Sequence, residues 1–196
     1  MVVIATPTRE TVTAGFMGDT IKLLRRHPDA RWVAPLGIYL PNLRQSAVFT
    51  ALAVGASHIL FIDSDMRFPE ATLECLLSRD KAIVGANYVM RTMPSLWTAN
   101  TENACVSSVG KTGLERVDVL GFGVVLIRTE VFRALERPWF ETPYNGQIHV
   151  GEDVYFCQQA KAAGLPVWVD HDLSQQVRHH SLIEYGVESV EVESVA

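Results

Sequence analysis

The chain has 196 residues, 48% hydrophobic and 20% charged, with a formal net charge of −5. That profile suits a soluble globular protein with a sizeable core, most simply one domain. The negative balance disfavours an extended nucleic-acid or anionic-membrane surface, and no apolar run approaches the roughly 18 residues a membrane-spanning helix needs. The apolar start at residues 1–5 is too short for a secretory signal. Cys75, Cys105 and Cys157 are odd in number and widely spaced. They point to reduced thiols in a cytoplasmic protein and away from a disulfide framework or a zinc site.

In chain order, residues 2–5 read as a strand stopped by Pro7, and 11–27 as a helix ended by His27-Pro28. Residues 31–39 read as a second strand. A helix over 43–54 follows, with Leu43, Ala47, Val48, Ala51 and Leu52 on one stripe and Gly55 closing it. His58-Ile59-Leu60-Phe61-Ile62 is a buried strand running into Asp63-Ser64-Asp65. A helix over 69–77 and a strand over 82–85 complete a strand–helix alternation, which predicts an α/β sheet, largely parallel. Residues 87–113, with Arg91, Pro94 and Trp97, are aperiodic and long for a loop, so short β segments or a substrate-facing flap are expected there. Residues 117–127 read as a strand bent at Gly121-Phe122-Gly123, and 129–135 as a short helix. A helix over 152–163 closed by Gly164, a strand over 167–169 and a histidine-bearing segment over 171–180 follow. The expected domain spans residues 1–186, with 187–196 a frayed tail.

Three groups carry chemistry. If the strand persists to its end, Asp63 and Asp65 leave one face and converge, and two such carboxylates call for a hard cation such as Mg²⁺ or Mn²⁺. The competing reading is that Ser64 or Asp65 caps the next helix. Thr6-Pro7-Thr8-Arg9 should open on the same sheet edge, with hydroxyls and a cation suited to a nucleotide, though Thr-Pro-Thr is also an ordinary turn. Glu152 and Asp153 open a helix, as favourable dipole partners or with Asp153 as a general base. Among His171, His179 and His180, one returning to the aspartates would complete a mixed oxygen–nitrogen metal site.

Taken together, residues 59–68, Gly121-Phe122-Gly123, 151–157, 164–170 and Val177-Arg178-His179 resemble the GT-A-fold glycosyltransferases, specifically the family 2-like inverting enzymes. The resemblance runs from the first strand to about Tyr185. It implies a three-layer sandwich around a mixed, mostly parallel sheet. It also implies a sugar moved from a UDP- or GDP-linked donor to an acceptor hydroxyl. By the same resemblance, Asp65 and His179 hold Mn²⁺ or Mg²⁺, with His180 the alternative to His179. Asp63 contacts the ribose or the ion's waters. Asp153 is the base, with Glu152 beside it facing the acceptor. Thr6, Pro7, Thr8, Arg9, Ser64, Gly121 and Gly123 belong to the nucleotide and substrate side. Arg44 falls where such chains place a cation near the donor, or is simply a solvated helix charge.

The chain departs from the family in two places. The segment after the second strand, Ile38-Tyr39-Leu40-Pro41-Asn42, lacks the acid that reads the base, so the nucleotide stays open. The carboxyl end is short, so the acceptor lid is expected to be either missing or supplied by a partner chain, as in a homo-oligomer. A sugar-phosphate nucleotidyltransferase is one alternative, but it would want a glycine-rich loop after the first strand, which Thr6-Pro7-Thr8-Arg9 is not. A non-catalytic nucleotide-sugar-binding module is the other.

Overall fold

In the computed structural model, which describes residues 1–91 and 96–180, the amino-terminal half builds one side of a sheet. It runs β1 (Val2–Ala5), α1 (Ala14–Arg26), β2 (Arg31–Val33), α2 (Leu40–Ala53) and β3 (His58–Ile62). After these come a two-residue strand β4 (Met66–Arg67), α3 (Thr72–Ser78) and β5 (Ile83–Gly85). The remainder contributes β6 (Leu114–Val117), β7 (Val124–Arg128), α4 (Thr129–Ala134), α5 (Glu152–Ala162), β8 (Val167–Asp170), α6 (His171–Ser174) and β9 (Arg178–His179).

Seven strands form the main sheet in the order β2-β1-β3-β7-β5-β8-β6, and β4 pairs with β9 in a small separate ladder. β1 lies parallel to β2 and β3; β7 is antiparallel to both its neighbours, β3 and β5; β8 is parallel to β5 and antiparallel to β6. Five strands therefore share one direction and two oppose it, the mixed, mostly parallel sheet that the resemblance implies.

The sheet is covered on both faces, so its central strands β3 and β7 carry four successive buried apolar residues each, Ile59 to Ile62 and Val124 to Ile127, rather than alternate ones. Ile59 and Phe61 of β3 pack with Ala47, Val48 and Ala51 of α2, Phe132 of α4, and Phe156 and Ala160 of α5. Leu60 and Ile62 face the other way, into a cluster with Phe16 and Leu23 of α1, Leu76 of α3 and Leu173 of α6. The result is three layers. Each fully buried side chain of this size contributes about 1.5–3 kcal/mol of apolar burial, so β3 and its neighbour β7, each buried on both faces, are firmly anchored.

Several boundaries differ from the sequence expectation for local reasons. The second strand stops at Val33 rather than 39. Pro35 has no N–H to continue the ladder, although its carbonyl still accepts from Thr8 N at 3.0 Å. α2 starts at Leu40, not 43, because Pro41 is well suited to a first helical turn. β6 occupies Leu114–Val117, and the stretch expected to be a strand over 117–120 makes only a bridge between Val119 and Asn100. In the aperiodic segment, short bridges do appear, Val89 with Trp97 and Asn100 with Cys105. They are held by buried Asn87, whose amide donates to the Val106 carbonyl at 2.7 Å and whose carbonyl accepts from Ala99 N at 2.9 Å. The expected tail, 187–196, lies outside the described residues. Among the described residues no helix is long and apolar enough to cross a membrane.

Candidate active site

β3 ends at Ile62, one residue before the first aspartate. Asp63-Ser64-Asp65 is a tight turn, closed by Met66 N donating to the Asp63 carbonyl at 3.0 Å. The two carboxylates therefore do not leave one strand face as the sequence expectation had it. A turn rotates successive side chains apart, and each aspartate has a different partner.

Asp63 belongs to a buried ion-pair cluster centred on Arg44 of α2. The Arg44 side chain is 2% exposed and its guanidinium lies over the neighbouring rings of Phe61 and Phe122, 5.3 and 5.5 Å from their centroids. Nη2 donates to both oxygens of Asp63 at 3.0 and 3.3 Å, and Nε donates to Glu152 Oε1 at 3.0 Å. Nη1 is buried without a hydrogen-bond partner among the described residues. Arg44 is thus neither a solvated helix charge nor a cation free to meet a donor. It ties the turn after β3 to the first turn of α5. Burial raises the Asp63 carboxyl to about 6, with Arg44 opposing and the charges of Asp65 and Glu152 adding.

Asp65 faces the other way. Its Oδ2 lies 2.8 Å from Arg91 Nη2 and 3.3 Å from Nε2 of His179, 114 residues later in the chain. The β4–β9 ladder brings them together, pairing Met66 with His179, and His180 N donates to the Asp65 carbonyl at 2.8 Å. His179 Nδ1 donates to the Val89 carbonyl at 3.0 Å, which fixes the ring with Nε2 toward Asp65. Burial opposes ionisation of Asp65, but the hydrogen bond and charge of His179 and the charge of Arg91 outweigh it and hold the carboxyl below its ordinary value. His179 is raised in turn, first by Asp65, with burial opposing.

The loops after β1, β2 and β3 open along the sheet edge where ligands of such α/β proteins bind. They enclose a cleft of about 1200 Å³. Pro7, Thr8 and Arg9 line it together with Asp63, Ser64, Asp65, Tyr88, Arg91 and His179, and Leu36, Ile38 and Leu43 form an apolar side. Thr6 lies beneath, buried, and its hydroxyl accepts from Trp32 Nε1 at 3.0 Å. Gly121 and Gly123 are buried as well, and both make room for Tyr88. A Cβ on Gly123 would come within 2.6 Å of the Tyr88 ring, and one on Gly121 within 2.8 Å of its hydroxyl. Gly123 N donates to that hydroxyl at 3.1 Å.

Glu152 and Asp153 are outside this lining. Asp153 is partly buried at the start of α5, and its Oδ1 accepts from Val154 N at 2.7 Å. Burial raises its carboxyl and Glu152 adds to the effect, while the Val154 N–H and Arg44 oppose it. His171 does not join the aspartates. It is buried between Ser108 Oγ at 2.8 Å from Nδ1 and Glu115 Oε2 at 2.9 Å from Nε2. His180 lines a neighbouring cavity of about 500 Å³ beside Asp65 and Arg91, but His179 is the histidine whose ring contacts the Asp65 carboxylate.

Among the described residues no three His, Cys, Asp or Glu side chains converge as a preformed metal centre. Asp63 is drawn to Arg44, which leaves Asp65 and His179. That pair fits a divalent ion: one hard carboxylate and one imidazole whose second nitrogen is anchored to a carbonyl. It fits only a site completed by phosphate oxygens and water, as Mg²⁺ sites commonly are. Sequence reasoning expected a substrate-facing flap within 87–113, Arg91 included, but did not single out Tyr88 and Arg91 as site residues. Both stand in the aperiodic segment, where no local pattern marks which side chains turn inward.

No protein-family model matches the sequence, and a search of curated proteins finds no relative. Among solved structures, A197 from STIV shares the fold at a TM-score of 0.63 and 15% identity, over 95% of this chain and 97% of that one. A protein named as a nucleotide-diphospho-sugar transferase from Desulfovibrio desulfuricans G20 gives a TM-score of 0.48 at 12% identity, over 86% of this chain and 78% of that one. The inositol-1-phosphate CTP transferase from T. maritima gives 0.47 at 11%, over 89% and 94%.

Proposed function

We propose that the protein is a metal-dependent glycosyltransferase that moves a sugar from a nucleoside-diphosphate donor to an acceptor hydroxyl, with inversion. The observation that carries this reading is the meeting of Asp65 and His179 in the cleft at 3.3 Å, with His179 anchored through Val89. Asp65 and His179 would hold Mn²⁺ or Mg²⁺, which supplies a Lewis acid for the departing diphosphate. Pro7, Thr8 and Arg9 would hold the nucleotide against the apolar side of the cleft. Asp153 would take the acceptor proton as the acceptor oxygen bonds to the anomeric carbon and the sugar–phosphate bond breaks. Its raised carboxyl suits a base working near neutral pH. Arg44 joins the two halves, because it grips both Asp63 beside the donor and Glu152 beside the base.

The test is release of nucleoside diphosphate from a panel of UDP- and GDP-linked sugars with Mn²⁺, with and without EDTA. Asp65→Ala should abolish metal-dependent donor binding. Asp153→Asn should keep that binding and lose transfer. Absence of donor binding and turnover across the panel would refute the proposal. Pyrophosphate formed from a nucleoside triphosphate and a sugar phosphate would instead favour the nucleotidyltransferase alternative.

A further inference from the structure

Asp65 already has a cation against it. Arg91 Nη2 lies 2.8 Å from Asp65 Oδ2, the same oxygen that faces His179, and Nη1 donates to the His180 carbonyl at 3.1 Å. We propose that Arg91 is an internal stand-in for the divalent ion, holding Asp65 while the cleft is empty and passing to the donor diphosphate when the ion arrives. This rests on the reading of the cleft given above.

The geometry leads there in three steps. An ion bound between Asp65 Oδ2 and His179 Nε2 would lie about 2.1 Å from each, and a guanidinium nitrogen 2.8 Å from that oxygen fills the same approach. Two cations cannot share it, so binding of one expels the other. Arg91 can leave cheaply. Its side chain is 49% exposed, and exposed ion pairs hold weakly. It also has somewhere to go, because it borders both the large cleft and the smaller cavity beside Thr11 and Ser64. A diphosphate offers paired oxygens that match the planar fork of a guanidinium. Arg67, by contrast, is held by Asp19 through a 2.6 Å contact, and Arg44 is buried. Arg91 therefore competes with the ion when no nucleotide is present and joins it on the phosphates when one is.

The two effects have opposite signs, and that separates them from a structural role. Mn²⁺ binding is measured by electron paramagnetic resonance on the protein alone, and nucleoside diphosphate binding by calorimetry at saturating Mn²⁺. Arg91→Gln should bind Mn²⁺ about fivefold more tightly and the diphosphate about fivefold more weakly, as expected for losing one half-exposed charge contact. Arg91→Lys keeps a charge on Asp65, so its Mn²⁺ affinity should stay near that of the unaltered protein while diphosphate binding weakens. Both variants should unfold within a few degrees of the unaltered protein, so that neither change in binding is a loss of fold. Mn²⁺ bound no more tightly by Arg91→Gln would overturn the inference and leave the proposed function standing. So would tighter Mn²⁺ with unchanged diphosphate binding. No Mn²⁺ bound by any form, with or without diphosphate, would overturn both.

Discussion

Replacing Arg44 with methionine removes the centre of the buried cluster while keeping most of its volume. Asp63 and Glu152, with side chains 25% and 13% exposed, then lose their shared counter-charge, and the rings of Phe61 and Phe122 lose the guanidinium over them. Breaking a buried ion pair from one side costs about 3–5 kcal/mol, because the abandoned charge remains desolvated. For a chain of 196 residues that corresponds to a drop in Tm on the order of 10 °C. It is also a large share of the about 5–15 kcal/mol that holds a typical domain together. The triple variant Arg44→Met/Asp63→Leu/Glu152→Met should recover most of the loss, since replacing a whole buried ion cluster by apolar residues of similar volume is often near neutral. Urea unfolding at pH 7 measures all three proteins. A loss below about 1 kcal/mol in Arg44→Met, or no recovery in the triple variant, would refute the view of Arg44 as the tie between β3 and α5.

Three further outcomes follow from other parts of the molecule. Gly123→Ala places a Cβ 2.6 Å from the Tyr88 ring and should cost about 1–3 kcal/mol in thermal unfolding, with Gly123→Ala/Tyr88→Leu recovering part of it. Burial opposes ionisation of Glu74, but His27 Nε2 at 2.8 Å, off the hydrogen-bond line, and Arg26 Nε at 2.7 Å outweigh it and hold the carboxyl at about 2. A depressed carboxyl contributes stability above its unfolded value, near 4.5, and loses it as pH falls through about 2. Glu74→Gln should therefore be less stable by about 1 kcal/mol at pH 6, a value kept small by its exposure, with the difference gone near pH 2 in urea titrations. Burial pushes the Cys157 thiol up to about 12, whereas Cys105 is exposed. Iodoacetamide at pH 8 should modify Cys105 and spare Cys157 in the folded protein, as read by peptide mass spectrometry.

The layered α/β architecture was legible because its signals are local. β3 is apolar at four successive positions, Ile59 to Ile62, as a strand covered on both faces must be, and α1 and α5 end at His27-Pro28 and Gly164, residues that stop helices wherever they occur. Strand direction was less accessible. β7 runs antiparallel between β3 and β5, yet a fully buried strand of Val, Leu and Ile reads the same in either sense, and only the path of the connecting chain decides it.

The aspartate pair shows the same division. Its position at the carboxyl end of a buried strand, and the residue types that suit a hard cation, are present in Asp63-Ser64-Asp65 and in a late histidine before any folding is considered. Which oxygen meets which partner is not. That β3 stops at Ile62, that Arg44 claims Asp63, and that His179 and Arg91 share Asp65 Oδ2 depend on side chains 19 to 114 residues distant in the chain. Composition and periodicity report what a residue prefers as a neighbour. Only packing in three dimensions determines which neighbour it has, and for charged groups that choice decides whether a carboxylate is a structural tie or a ligand.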